Sequence, residues 1–190
     1  MNTSERLKYR ILLFLFGFSV IIYAQDTNEI EKVTIQDVST HSHVDIVSFL
    51  STSKEHSTFL KLLKATGVDE MFSSETSFTL FAPTNAGFEK LPKGTVENLL
   101  LPENKYKLIN ILQYHIITGN INTTVMSNRI KSSLGKAKFK TKSGGVITIF
   151  NKHGIFTIEG EKGKGILIEN PDKLHGNGFV HIVDTVLIPG

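Results

Sequence analysis

The sequence predicts an α+β fold in which helices come first and strands follow. Three observations carry that reading. Apolar residues recur at helical spacing from Ile46 to Ile116, and short β-rich runs separated by glycine-containing turns fill the chain from Ala137 onward. One strand-like run, Phe78–Pro83 (FTLFAP), stands early among the helical patterns.

The elements follow in chain order. Arg6, Lys8 and Arg10 precede an almost wholly apolar stretch, Ile11–Ala24, whose 14 residues fall short of the roughly 20 needed to span a bilayer. Residues 1–24 are therefore expected to be a cleavable signal peptide, cut after Ala24. Residues 25–43 read as a polar leader or a short edge strand, and residues 44–190 as one domain. No cysteine is present, so a lipid anchor on cysteine is excluded and stability must come from packing. The 166 residues after Ala24 are enough for one self-sufficient core.

Ile46, Val47, Phe49 and Leu50 predict a first short helix. Ser53 is expected to cap the next, which carries Phe59, Leu62 and Leu63 and ends at Gly67. Phe78–Pro83 predicts a strand stopped by Pro83. Thr84 then caps a short helix holding Phe88 and Leu91, and Thr95–Leu101 makes another turn or two before Pro102. The strongest helical pattern is Asn104–Ile116, where Leu108, Ile111, Leu112, His115 and Ile116 fall on one face. Beyond Gly119 strands are expected: Ala137–Thr141, Val146–Phe150, Ile155–Ile158 and Ile166–Glu169, an antiparallel meander punctuated by Ser143–Gly145, Asn151–Gly154 and Gly160–Gly165. Phe179–Ile188 (FVHIVDTVLI) reads as a long central strand, because Phe179, His181, Val183, Thr185 and Leu187 on one face and Val180, Ile182, Asp184, Val186 and Ile188 on the other are both mostly apolar.

Charge removes some function classes. Loss of residues 1–24 leaves 18 Lys+Arg (21 − 3) against 17 Asp+Glu (18 − 1), too even a balance to point to nucleic acid. The chain lacks a G-x-S-x-G elbow and any thiol nucleophile. Gly160–Gly165 (GEKGKG) has neither the spacing of a phosphate loop nor a following helix, and reads as a solvated hairpin tip. Among the seven histidines, His41 and His43 beside Asp45 form the only close pair and read as a polar linker. His56, His153 and His175 read as surface or turn residues. His115 and His181 lie on apolar elements and are expected to be buried, with both ring nitrogens hydrogen-bonded. No catalytic residue, metal or cofactor is expected.

Three stretches resemble the fasciclin-like domain family. Phe78–Phe88 (FTLFAPTNAGF) is similar to its first signature and includes Pro83, Thr84, Asn85 and Phe88. Tyr114-His115 is similar to its Tyr-His pair. Asn177–Pro189 (NGFVHIVDTVLIP) is similar to its second signature and includes Asn177, Gly178, His181, Asp184 and Pro189. The resemblance covers Val44 to Pro189. It implies a compact domain with helices packed beside a wedge of antiparallel-rich β-sheets, a role in adhesion or surface and matrix binding, and no cofactor. Two departures stand out. Ala86-Gly87 replaces an acidic residue followed by alanine, at an expected cost of about 1 kcal/mol for glycine in a helix. Asn170-Pro171-Asp172-Lys173-Leu174 matches only Pro171 and Asp172 of the Glu-Pro-Asp-Ile-Met integrin motif of some animal members.

The function expected is a secreted, non-enzymatic adhesion or surface-interaction module binding a protein or carbohydrate, in the periplasm or at the cell surface. The mature chain is expected to have no transmembrane segment and to self-associate weakly. The alternative is a periplasmic small-molecule or lipid-binding protein. Asp172, Lys173, Tyr114 and His115 are the candidate partner-binding residues. Asp172 has a structural alternative, holding its own turn.

Overall fold

The computed structural model describes residues 44–190 apart from Glu75, Lys162 and Lys164. The expected signal peptide, the polar leader and the His41–His43 pair lie outside the described residues.

Two short helices open the domain, α1 (Ile46–Thr52) and α2 (Ser57–Thr66), separated by a 3-10 turn at Lys54–His56. Asp45 caps α1 through Ser48 N–H at 2.7 Å, and Gly67, left-handed at φ 77°, closes α2. Ser53 does not cap α2 as expected: its hydroxyl is bonded to His56 Nδ1 at 2.7 Å. The first turn of α2 instead uses a distant side chain, with Thr58 N–H donating to Asn85 Oδ1 at 3.0 Å.

Strand β1 (Phe78–Pro83) is buried along its whole length. Thr84 caps α3 (Asn85–Glu89) by accepting from Gly87 N–H at 3.2 Å. Helix α4 (Thr95–Leu99) precedes a 3-10 turn at Pro102–Asn104, and α5 (Lys105–Tyr114) follows. The helical pattern suggested by the sequence overran here. The helix ends at Tyr114, and Ile116 begins β2 (Ile116–Thr118), where it pairs with Leu80 of β1.

The region after Gly119 also holds a helix the sequence reading missed, α6 (Thr123–Ser132), capped by Asn122 and burying only Met126 and Ile130. The meander follows as β3 (Lys136–Lys140), β4 (Val146–Lys152), β5 (Ile155–Glu159), β6 (Gly165–His175) and β7 (Gly178–Val183). The sheet order is β2-β1-β7-β6-β5-β4-β3. Only β1 and β7 run parallel; every other pairing is antiparallel. Strand β7 is therefore central, as its two apolar faces require, but it stops at Val183 rather than Ile188. Beyond it the alternation persists without a ladder: Val186 joins the helical core and Leu187 the other.

Strand β6 loses register between Ile168 and Asn170 and again between Asn170 and Lys173, the signature of bulges that bend a strand. The sheet curls enough for its ends to touch: Lys142 N–H, just past β3, donates to the Ile116 carbonyl of β2 at 2.8 Å. Two cores result. Phe78, Leu80, Ala82 and Val180 face the helices with Phe59, Leu62 and Leu112. Phe81 and Val183 face the inside of the curled sheet with Phe139, Ile149 and Met126.

Candidate functional site

The two signature stretches meet at the β1–β7 seam. Phe78 lies opposite Gly178 in parallel register, and a Cβ on Gly178 would overlap the Phe78 carbonyl oxygen; its φ of 145° also disfavours any side chain. The β6–β7 turn itself is Gly176-Asn177, since His175 pairs with Gly178, and of Asn177 and Gly178 only the glycine has a positive φ. Asn177 acts through its amide instead, accepting from Ile46 N–H at 3.0 Å and donating to the Phe72 carbonyl at 2.8 Å. Asn85 joins α3 to the start of α2, donating to the Lys54 carbonyl at 2.9 Å. Phe88 is buried against Phe59, with ring centroids 6.3 Å apart. Pro83 closes the β1–β7 ladder opposite Val183, and Pro189 lies half-buried past the last strand. Gly87, expected to weaken α3, has a packing reason: a Cβ there would stand 3.1 Å from the Asp184 carbonyl oxygen.

Tyr114 and His115, candidates for partner binding, are both fully buried, as the apolar setting of His115 predicts. They present nothing for a partner to touch. The Tyr114 hydroxyl donates to the Val146 carbonyl at 2.9 Å and accepts from Glu161 N–H at 3.2 Å; burial pushes its pKa up. His115 Nδ1–H donates to the Ile111 carbonyl at 2.8 Å, and Nε2 accepts from Leu187 N–H at 2.9 Å. That pairing requires the neutral ring, and burial holds its pKa down to about 4. His181 repeats the arrangement inside the curled sheet: Nε2–H donates to the Ile121 carbonyl at 2.7 Å and Nδ1 accepts from Asp172 N–H at 3.1 Å. Its pKa too is lowered by burial.

His56 and His175, read as surface or turn residues, are not. His56 is 1% exposed and His175 half-buried. They flank Phe49 at centroid distances of 5.7 and 4.6 Å. His56 Nε2 and both ring nitrogens of His175 lack a hydrogen-bond partner among the described residues. His153 does sit in an exposed turn, at φ 54°.

Most of Asn170–Gly178, the polar stretch before the last strand, is the bulged end of β6. Asp172 adopts φ 60° at the bulge. Its carboxylate accepts from Thr123 N–H at 2.8 Å through Oδ1 and from the Thr123 hydroxyl through Oδ2. It thus anchors the start of α6 rather than its own turn. Lys173 is half-buried, and Leu174 is 48% exposed opposite Phe179. Asp184, on the far side of the seam, accepts from Lys90 Nζ at 2.9 Å and from Leu167 N–H at 3.0 Å. Partial burial raises its pKa, but the Lys90 and Leu167 hydrogen bonds outweigh that and leave it lowered.

Three recesses converge on Leu91. The most enclosed, about 220 Å³, is lined by Leu91, Gly160, Ile166 and Val186–Ile188, with Lys90 and Thr185. The other two, about 730 and 540 Å³, are open to solvent along Pro92–Val96. No group of three His, Asp or Glu side chains able to hold a metal occurs among the described residues.

A mixed seven-stranded sheet curled around one core, helices over a second, and signature side chains spent on the seams together define an α+β scaffold of a distinctive class. The chain belongs to the fasciclin domain family, whose model matches residues 54–189. It is 34% identical to Protein sll1483 of Synechocystis over all of this chain and 99% of that one. It is 32% identical to human periostin over 86% of this chain but 18% of periostin, and 30% identical to immunogenic protein MPB70 of Mycobacterium bovis over 64% of this chain and 54% of that protein. The solved FAS1 domain pair of the insect cell adhesion molecule Fasciclin I superposes at a TM-score of 0.69 with 20% identity, covering 77% of this chain and 51% of that one. That match concerns the fold alone. Among the described residues no helix is long and apolar enough to cross a membrane.

Proposed function

We propose that this chain is an exported, non-enzymatic adhesion module that binds a surface or matrix protein or carbohydrate. Cleavage after Ala24 would release it to the periplasm or the cell surface, with residues 25–43 as leader and 44–190 as the binding domain. The observation that carries this reading is the bulged end of β6. Its backbone is locked to central β7, yet Leu174 stands half exposed beside Phe179 and Lys173, an apolar contact point on a rigid mount. It also occupies the place where some animal family members carry their recognition motif. Capture of a small molecule or lipid is the weaker reading: the most enclosed recess, about 220 Å³, falls below the ~300 Å³ at which drug-sized pockets begin, and the larger ones, about 730 and 540 Å³, lie open to solvent.

The test is Lys173→Ala with Leu174→Ser, leaving Asp172 intact, in adhesion to native cells or matrix. Adhesion should fall while the thermal melt stays unchanged, since neither side chain is fully buried. Full adhesion by the double variant would move the contact elsewhere. Failure of the wild-type protein to adhere would remove the adhesion reading itself.

A further inference from the structure

Charge along this chain is segregated. Arg129, Lys131, Lys136, Lys138, Lys140 and Lys142 stand within fourteen residues that hold no carboxylate. The expected mature chain is only +1 overall, so everything outside this segment sums to −5. The fold divides the segment: Arg129 stands over Phe139 on the inner face of β3, 4.9 Å from its ring centroid, and the lysines of β3 lie on the outer face. Strand β3 alternates exposed Lys136, Lys138 and Lys140 with buried Ala137 and Phe139, which sets the three ammonium groups in a row with a repeat of about 7 Å. Lys136 is partly neutralised by Glu159 at 2.8 Å, whereas Lys138 and Lys140 have no carboxylate within ion-pair distance among the described residues. Beside this row, in register on β4, lie Phe150, Thr148 and Val146. Phe150 and Thr148 are half-buried and Val146 is exposed. β3 has a β-partner on one side only.

We propose that the Lys136–Lys138–Lys140 row and the adjoining β4 face bind a linear anionic polysaccharide. This deepens the adhesion reading and rests on it for its setting. A line of cations matches the regularly spaced carboxylates or sulfates of such a polymer. Val146 offers an apolar contact to the C–H faces of its sugar rings and Thr148 a hydroxyl, while Lys136 Nζ stands over the Phe150 ring, 5.3 Å from its centroid. A lipid surface fits less well. The one fully exposed apolar side chain nearby, Leu134, sits at the end of the row, so a bilayer meeting that tip would leave Lys138 and Lys140 behind. Lysines on an edge strand also discourage edge-to-edge aggregation, and the experiment must separate that role from binding.

The full exported chain is assayed for retention on dextran sulfate, with neutral dextran and phosphatidylserine vesicles as comparisons. Wild type should bind dextran sulfate in a salt-sensitive way and ignore neutral dextran. Lys138→Gln with Lys140→Gln should weaken binding about tenfold, and Lys138→Arg with Lys140→Arg should restore it. Lys61→Gln with Lys64→Gln, the same loss of charge on exposed α2, should leave it unchanged. Equal weakening by both Gln pairs would overturn the proposal in favour of net charge. So would vesicle binding without dextran sulfate binding, or a β3 variant that aggregates yet binds normally. Cell adhesion by the wild type without dextran sulfate retention would overturn this inference and leave the adhesion reading standing.

Discussion

The helical side of the molecule and the inside of its curled sheet solve burial differently. The helical core is built from aliphatic and phenylalanine side chains of α1, α2 and α5 against Phe78, Leu80 and Ala82. The sheet core also encloses polar groups, each tied. Thr79 Oγ1 donates to the Gly119 carbonyl at 2.6 Å and accepts from Ile121 N–H at 2.8 Å. Tyr114 and His181 are likewise bonded at every polar atom they bury. On the helical side His115, 5.4 Å from Phe59, is also tied at both ring nitrogens. Around Phe49, however, the Nε2 of His56 and both ring nitrogens of His175 have no hydrogen-bond partner among the described residues. Helices satisfy their own backbone, so their packing needs only apolar surface. The segment Gly119–Asn122 between β2 and α6 has no ladder of its own, so Thr79 and His181 meet the Gly119 carbonyl and both backbone groups of Ile121.

The largest expected effect tests the seam that both cores share. Gly178→Ala should cost more than about 4 kcal/mol, because β1 and β7 cannot stay in register with a Cβ against the Phe78 carbonyl. Soluble yield and circular dichroism would show it. A native-like melt would mean that the two strands can part without loss of either core.

Acid should come next. His115 has a folded pKa of about 4 against an unfolded 6.5, so below pH 6.5 the unfolded chain takes up a proton that the native ring refuses. Stability is whole above pH 6.5 and falls as pH drops through 4, by about 3 kcal/mol for this residue alone. His56, His175 and His181 are shifted downward too, chiefly by burial, and add in the same direction. Urea midpoints at pH 7.5 and 4.5 measure the sum. His115→Ala should lose roughly 1–3 kcal/mol at pH 7.5 and show a shallower acid slope. An unchanged slope would assign the acid sensitivity to His56, His175 and His181.

Thr79→Val sharpens the comparison itself. It preserves shape but orphans Ile121 N–H in the sheet core, at an expected cost of about 1–3 kcal/mol. A neutral result in denaturant melts would show that water reaches Gly119–Ile121 and that the tie is dispensable. Smallest is Asp172→Ala, which removes both acceptors at the start of α6 and should cost about 1 kcal/mol. Asp172→Asn should recover part of it. A larger drop would mean that α6 holds the mouth of the sheet shut.

Most of the helical layer was legible because its signals are local. Thr84 reaches its partner three residues away, Gly67 closes α2 with its own backbone, and the apolar positions of α5 recur at helical spacing. α6 was not legible: Thr123–Ser132 buries just Met126 and Ile130, too few apolar residues to mark a period. Asn122 before it was the one available signal. Ser53 misled for the opposite reason, as a good local cap whose place is taken by Asn85 from across the fold. The meander was read well because each strand carries its own alternation and each turn its own glycines.

By itself, then, the sequence determined the class of fold, the order of its elements other than α6, the central position of β7 and the burial of His115 and His181, since periodicity and alternation are written in neighbouring residues. Only the tertiary structure decided that Tyr114 is buried beside His115 and which backbone groups the two reach, that His56 is buried beneath Phe49, and that Asp172 serves Thr123. It also decided that the two ends of the sheet meet between Ile116 and Lys142. Those outcomes depend on hydrogen bonds between residues up to 72 positions apart, as from Leu187 to His115, and no local pattern encodes which distant backbone group a side chain will find.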